Sequence, residues 1–199
     1  MPKFAFLPQR LPPGLSDGIG RAVARTGLTP NMISLLGLAG NALAAWLVIE
    51  EALLWAGVVF LFFSALDLVD GAVARATGQA SPFGAVFDAV LDRASEALLL
   101  AACAWYFSDR GEFVQVVVTY AALLGSVAVS YVRARAEVLG VPMREGLFRR
   151  QERVVLLGGG LLLNGLTLVM WPLAILTNLT ALQRFWMLAR ALRNEQRAP

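Results

Sequence analysis

Histidine is absent from this 199-residue chain, and cysteine occurs once, as Cys103. The first absence excludes Ser–His–Asp catalysis and His-ligated zinc, and leaves carboxylates as the only strong general bases near neutral pH. The second excludes a disulfide framework and a thiolate metal site. Charge is also scarce. Charged residues make up 16% of the chain against 58% hydrophobic, and the mean hydropathy of +0.65 lies far above the soluble range. No composition shift or low-complexity linker marks a second domain. A secretory leader is not expected either, because the first strong apolar run begins after Asn31 and becomes a span.

Apolar runs long enough to cross a bilayer recur along the chain. They predict an all-α integral membrane protein with six transmembrane helices, over roughly Met32–Ile49, Ala52–Ala74, Gly84–Phe107, Phe113–Val138, Val154–Met170 and Leu173–Leu192. Ahead of them, Leu15, Ile19 and Val23 recur at near-helical spacing beside Arg21 and Arg25, with Ser16 as N-cap. This pattern predicts an N-terminal amphipathic helix on the membrane surface. The expected division is a juxtamembrane segment over 1–30 and a six-helix membrane domain over 31–199.

Six spans put both termini on one side with the loops around residues 75–83 and 139–153. That side carries nearly all the cations, from Lys3 and Arg10 through Arg144 and Arg149 to Arg197, whereas Arg110 is the only one opposite. The positive-inside rule makes the basic side cytoplasmic, in a cell membrane. A pI near 9.6 with a net charge of only +3 suits anionic lipids and small phosphorylated substrates, and no nucleic-acid partner is expected.

Four acidic residues interrupt this apolar text: Asp67 and Asp70 near the end of the second run, Asp88 and Asp92 near the start of the third. An ionised side chain near mid-membrane costs roughly 2.5–3.5 kcal/mol on insertion scales, so the group calls for a compensating partner. A divalent cation suits it, because carboxylate oxygens match Mg²⁺ or Mn²⁺. On a helix, Asp67, Asp70, Gly71, Ala74 and Arg75 share one face, and Gly84, Asp88 and Asp92 share another. The loop Thr77–Phe83 turns the second helix back on the third, which makes the two stripes neighbours. Buried Asp–Arg pairs are the competing structural explanation, but four Asp against Arg75 and Arg93 leave negative charge in excess. At about 1.5 Å per residue, Asp67 lies roughly 13 Å from the helix end near Ala76. That depth suits a substrate with acyl chains and a polar phosphate, and Arg75 has the planar fork to grip the phosphate.

Thr29 and Pro30 read as the N-cap and first residue of the first span, which leaves Asn31 unexplained by capping. Gly158-Gly159-Gly160 suits a close helix contact. Arg133, Arg153 and Arg184 lie at or within span ends, where topology alone accounts for them less well than for Arg190, Arg193 and Arg197. They are candidates for binding a phosphate in the same cytoplasmic cavity.

Together these residues complete D-x-x-D-G-x-x-A-R followed by G-x-x-x-D-x-x-x-D. This resembles the signature of the CDP-alcohol phosphotransferase family, met at Asp67, Asp70, Gly71, Ala74, Arg75, Gly84, Asp88 and Asp92. The resemblance implies a membrane enzyme of phospholipid biosynthesis, built from a surface helix and six spans, often as a homodimer. In its reaction an alcohol attacks the β-phosphorus of a CDP-linked lipid such as CDP-diacylglycerol and releases CMP. It implies two Mg²⁺ or Mn²⁺ ions held by Asp67, Asp70, Asp88 and Asp92, with Asp92 also the general base. Gly71 and Arg75 would contact the CDP group, within a CDP-lipid site of Asn31, Ser34, Asp70, Gly71, Ala74, Arg75 and Gly84.

Within the family, Tyr131–Glu137 and Arg150–Arg153 are similar to the phosphatidylinositol-phosphate synthases, which implies inositol phosphate as the acceptor. Arg133 stands where Lys is common, Gln151 where Pro is common, and Arg149 where an acidic or neutral residue is usual. Glycerol 3-phosphate, giving phosphatidylglycerophosphate, is the alternative acceptor. A divalent-cation transporter or non-catalytic membrane protein is the alternative of another class. Transport requires polar residues continuing toward the outer face, and the spans carry almost none there.

Overall fold

A computed structural model describes residues 27–143 and 146–195, leaving out the side chains of 67–72, 75, 76 and 195. The amphipathic helix expected around Leu15, Ile19 and Val23 lies outside the described residues, as does Arg144. Among the described residues the chain is all α-helical: α1 Pro30–Ile49, α2 Leu53–Ala76, α3 Pro82–Asp109, α4 Phe113–Val138, α5 Arg150–Leu162 and α6 Leu166–Glu195.

Local chemistry sets the helix ends. Thr29 caps α1, its hydroxyl accepting from the Met32 N–H at 3.3 Å ahead of Pro30, and Ser81 caps α3 through the Gly84 N–H at 3.0 Å ahead of Pro82. Five helices stop in the same way. A residue with positive φ (Glu51, Gly78, Gly111, Gly140 or Asn164) is followed by an N–H that reaches back to a carbonyl five residues earlier. This C-terminal motif satisfies the carbonyls that a helix end orphans. Three of the five positions are glycine, which adopts positive φ without strain.

One of these stops corrects the sequence expectation. The fifth helix ends at Leu162 and the turn lies at Leu163–Gly165, where the Gly165 N–H donates to the Gly160 carbonyl at 2.8 Å. Pro172, expected at the corner between the last two spans, sits inside α6. Asn164 and Gly165 close a complete capping motif, whereas Pro172 only withholds one N–H from a helix already under way.

Among the described residues, three helices are long and apolar enough to cross a membrane: Pro30–Ile49, Phe113–Val138 and Leu166–Asn194. At 24 and 28 residues, α2 and α3 have the length, but each carries acidic residues. At 13 residues α5 is about 20 Å long, short of a bilayer core of about 30 Å.

The interior is largely apolar, as in a soluble bundle, but the exterior is apolar too and several polar groups are buried. Trp46, Trp55, Phe62, Trp105, Tyr120 and Trp186 are exposed, whereas Asn41, Ser95, Thr119, Thr177, Arg153 and Arg184 are buried. An apolar exterior with polar groups inside is what lipid requires. Small residues let the helices approach. A Cβ on Gly158 would collide with Leu61 of α2, and one on Gly160 with Val169 of α6. Gly125 sits against Thr177 and Asn178, and the Asn178 amide donates to the Ala121 carbonyl at 2.8 Å, which ties α4 to α6. Helix α3 packs against α1 on one side and α4 on the other, so its acidic first half faces two separate clefts.

Candidate active site

Two cavities flank the first half of α3 and share Ala85 and Asp88 as lining residues. The period of the helix makes this possible. Ala85, Asp88, Asp92 and Glu96 follow one another at three- and four-residue steps, so they form one stripe.

The first cavity, of about 250 Å³, lies between α1, the end of α2 and the start of α3. Its lining includes Asn31, Ser34, Ala74, Gly84 and Asp88, and among the described residues it carries no cation. Ser34 donates to the Pro30 carbonyl at 3.3 Å and reaches Asp88 Oδ1 at 3.5 Å. A Cβ on Gly84 would stand 3.2 Å from Ser81 Oγ and 3.5 Å from Asn31 Oδ1, so a larger residue there would crowd the wall. Ala74 stands one turn after Asp70 on α2, and its presence brings that helix to Asp88.

The second cavity, of about 420 Å³, lies between α3, α4, α5 and α6 and has the opposite character. Asp88, Asp92 and Glu96 line one side, and Arg133, Arg150, Arg153 and Arg184 face them. Arg133, Arg153 and Arg184, chosen from three helices by their positions near span ends, therefore surround one space.

Each guanidinium is held differently. Arg153 is only 4% exposed and forks onto Glu96, Nε to Oε1 at 2.6 Å and NH2 to Oε2 at 3.0 Å, while its NH1 is buried without a hydrogen-bond partner. Arg184 is equally buried and donates to the Val129 carbonyl at 3.0 Å. Gly146 leaves it room, since a Cβ there would stand 3.0 Å from its Nε. The neighbouring loop is pinned to α6 by Phe148 N–H to Thr180 at 3.1 Å and Leu147 N–H to Gln183 at 3.1 Å. Arg133 is exposed and pairs with Glu137 at 2.9 Å. Arg150 reaches Asp92 Oδ1 at 2.7 Å, and Arg93 approaches the other oxygen at 3.9 Å.

Asp67, Asp70, Gly71 and Arg75 sit on the last three turns of α2, and their side chains are not among those described. Among the described residues no three carboxylates converge on a metal-sized site. The donor set still fits a hard divalent cation: every candidate ligand is a carboxylate, and Asp88 joins the cavity that α2 borders to the one that holds Asp92.

Sequence reasoning passed over Glu96 and Arg150. Glu96 was accessible to it, because it continues the Asp88–Asp92 stripe by one more four-residue step. Arg150 was not, because its pairing with Asp92 spans two helices far apart in sequence.

Comparison with known proteins gives the chain its relatives. Residues 27–192 match the family model of CDP-alcohol phosphatidyltransferase. The phosphatidylinositol phosphate synthase of Mycolicibacterium smegmatis is 37% identical over 181 residues, covering 85% of this chain and 82% of that protein. The archaetidylinositol phosphate synthase of Pyrococcus horikoshii is 34% identical over 171 residues, covering 85% and 88%. Among solved structures, the phosphatidylinositol phosphate synthase of Mycobacterium tuberculosis with CDP-DAG bound superposes with a TM-score of 0.80 at 30% identity, covering 88% of this chain and 94% of that one. The same enzyme with manganese and citrate gives 0.78 at 31%, covering 87% and 88%.

Proposed function

This chain belongs to the CDP-alcohol phosphatidyltransferase family, and we propose that it makes phosphatidylinositol phosphate or its close analogue from a CDP-linked lipid and inositol phosphate. The observation that carries the acceptor is the arginine-lined cavity beside Asp92. A phosphorylated alcohol carries about two negative charges, and a pocket lined by five guanidiniums suits it better than a neutral alcohol. The relatives support the same acceptor: their names carry two different lipids and one inositol phosphate.

In this reading the CDP-lipid occupies the first cavity, against Asn31, Ser34, Ala74 and Gly84, with Gly71 and Arg75 at its diphosphate. Asp67, Asp70, Asp88 and Asp92 hold two divalent ions, Mg²⁺ or Mn²⁺. When bound, such ions neutralise the diphosphate and stabilise the departing CMP. Arg133, Arg153 and Arg184 hold the acceptor phosphate and so aim its hydroxyl at the boundary between the cavities. Asp92 takes the hydroxyl proton, the alcohol oxygen bonds to the β-phosphorus, and the bond from that phosphorus to CMP breaks. Buried Arg153 and Arg184, with their carboxylate or carbonyl partners, keep the acceptor side rigid, which favours a near-attack geometry.

The membrane reading follows: six helices embedded in a cell membrane behind an N-terminal surface helix, the site opening to the cytoplasm, and a homodimeric assembly. The positive-inside distribution of Lys and Arg supports the orientation. Purified protein should be incubated with CDP-diacylglycerol, Mn²⁺ and either inositol phosphate or glycerol 3-phosphate, and the lipid product identified. The expected product is phosphatidylinositol phosphate, with no CMP release in excess EDTA. Phosphatidylglycerophosphate as the main product would overturn the acceptor, and undiminished turnover in EDTA would overturn the metal scheme.

A further inference from the structure

Among the described residues, Arg150 makes the closest contact of any cavity arginine with Asp92, whose other oxygen Arg93 approaches at 3.9 Å. Arg153 has Glu96, Arg133 has Glu137, and Arg149 has Glu152 at 2.9 Å, each a glutamate outside the D-x-x-D and D-x-x-x-D pattern. Arg150 instead puts its NH2 2.7 Å from Asp92 Oδ1, the carboxylate that the proposed chemistry needs for metal and proton. Asp92 is 15% exposed and Arg150 32%, so the pair is partly withdrawn from water and less screened than a surface pair.

A guanidinium on Asp92 and a divalent cation on the same carboxylate repel each other at close range. The structure offers the displaced group a destination. Arg150 is the first residue of α5, so its Cα is held by the helix start, and its side chain already borders the basic cavity of about 420 Å³. We propose that Arg150 is an exchangeable counter-ion: it holds Asp92 until a divalent cation takes that carboxylate, then turns into the basic cavity to meet the acceptor phosphate. The inference rests on the metal and acceptor reading above and adds an order to it. Loading the metal side creates an additional cation on the acceptor side, and by linkage the acceptor tightens metal binding to the same degree.

The test is Mn²⁺ titration of the full-length protein in detergent micelles, by calorimetry or by the electron-spin-resonance signal of unbound Mn²⁺, with and without inositol phosphate. Arg150→Gln removes the competitor, so Mn²⁺ should bind about tenfold tighter in the absence of acceptor, equivalent to roughly 1.4 kcal/mol. Inositol phosphate should tighten Mn²⁺ binding in the native protein and do so less in the variant. Arg150→Met deletes the same charge while keeping an apolar stem, and serves if the glutamine variant fails to fold. Mn²⁺ affinity that is unchanged or weaker in the folded variant overturns the proposal. Tighter Mn²⁺ binding with no response to inositol phosphate in either protein supports the exchange at Asp92 and overturns the acceptor assignment instead.

Discussion

The two cavities along α3 differ in nearly everything except the helix they share. The one against α1 and α2 is smaller and, among the described residues, lined by uncharged side chains and the Asp88 carboxylate. The one against α4, α5 and α6 is larger and, among the described residues, gathers five arginines with Asp88, Asp92, Glu96 and Glu137. The first is built to admit a group closely, and the second to hold an anion. One helical stripe serves both, and its Asp88 stands on the boundary where two substrates would meet. The division of labour thus follows from packing one acidic stripe between two unlike clefts.

The hardest test of that division is at Asp92, which lines the basic cavity and not the first one. Asp92→Asn should lower turnover by about 10²–10⁴-fold, the range a lost general base commands. Binding of the CDP-lipid, measured by calorimetry or by protection against thermal unfolding, should survive. If the lipid no longer bound, the two cavities would not be separate sites.

A smaller effect is expected at Arg153, and the structure changes how the experiment must be done. Arg153→Gln should raise the KM for inositol phosphate by about tenfold or more, since a charge-assisted hydrogen bond contributes roughly 1.5–3 kcal/mol. The KM for the CDP-lipid should stay nearly constant. The same substitution strands Glu96, and breaking a buried pair from one side destabilises by roughly 3–5 kcal/mol. Adding Glu96→Gln should recover the lost Tm while leaving the KM defect in place. A double variant that recovered both would mean that Arg153 acts on folding alone.

The smallest effect belongs to the first cavity. Ser34 reaches Asp88 at 3.5 Å, the far edge of hydrogen-bond distance, and is also satisfied by Pro30. Ser34→Ala should therefore raise the KM for the CDP-lipid by only about twofold, from a bond worth roughly 0.5 kcal/mol. The KM for the acceptor should not move. Equal shifts in both constants would show that Asp88 transmits changes across the boundary.

Much of this was legible in the sequence because it is local. Thr29-Pro30 and Ser81-Pro82 start helices through their own side chains, and Gly78, Gly111 and Gly140 end them through their own backbone freedom. Pro172 misled because proline in a helix interior is normally disruptive, whereas the stronger signal was the Asn164-Gly165 motif eight residues earlier. Glu96 lies outside the D-x-x-x-D pattern, and its role shows only where Arg153 forks onto it from another helix.

The sequence by itself determined that the chain is helical, that its exterior is apolar, and that Asp88, Asp92 and Glu96 share a face. Each of these is set by residue type and a period of 3.6, which act over a few neighbouring positions. Only the tertiary structure decided which faces meet. It brought Arg133, Arg153 and Arg184 from three helices around one space, and it set Arg150 against Asp92, 58 positions away along the chain. The physical reason is that helix–helix registry depends on close approaches such as Gly158 on Leu61 and Gly125 on Thr177, contacts between residues too far apart in sequence to follow from any local rule.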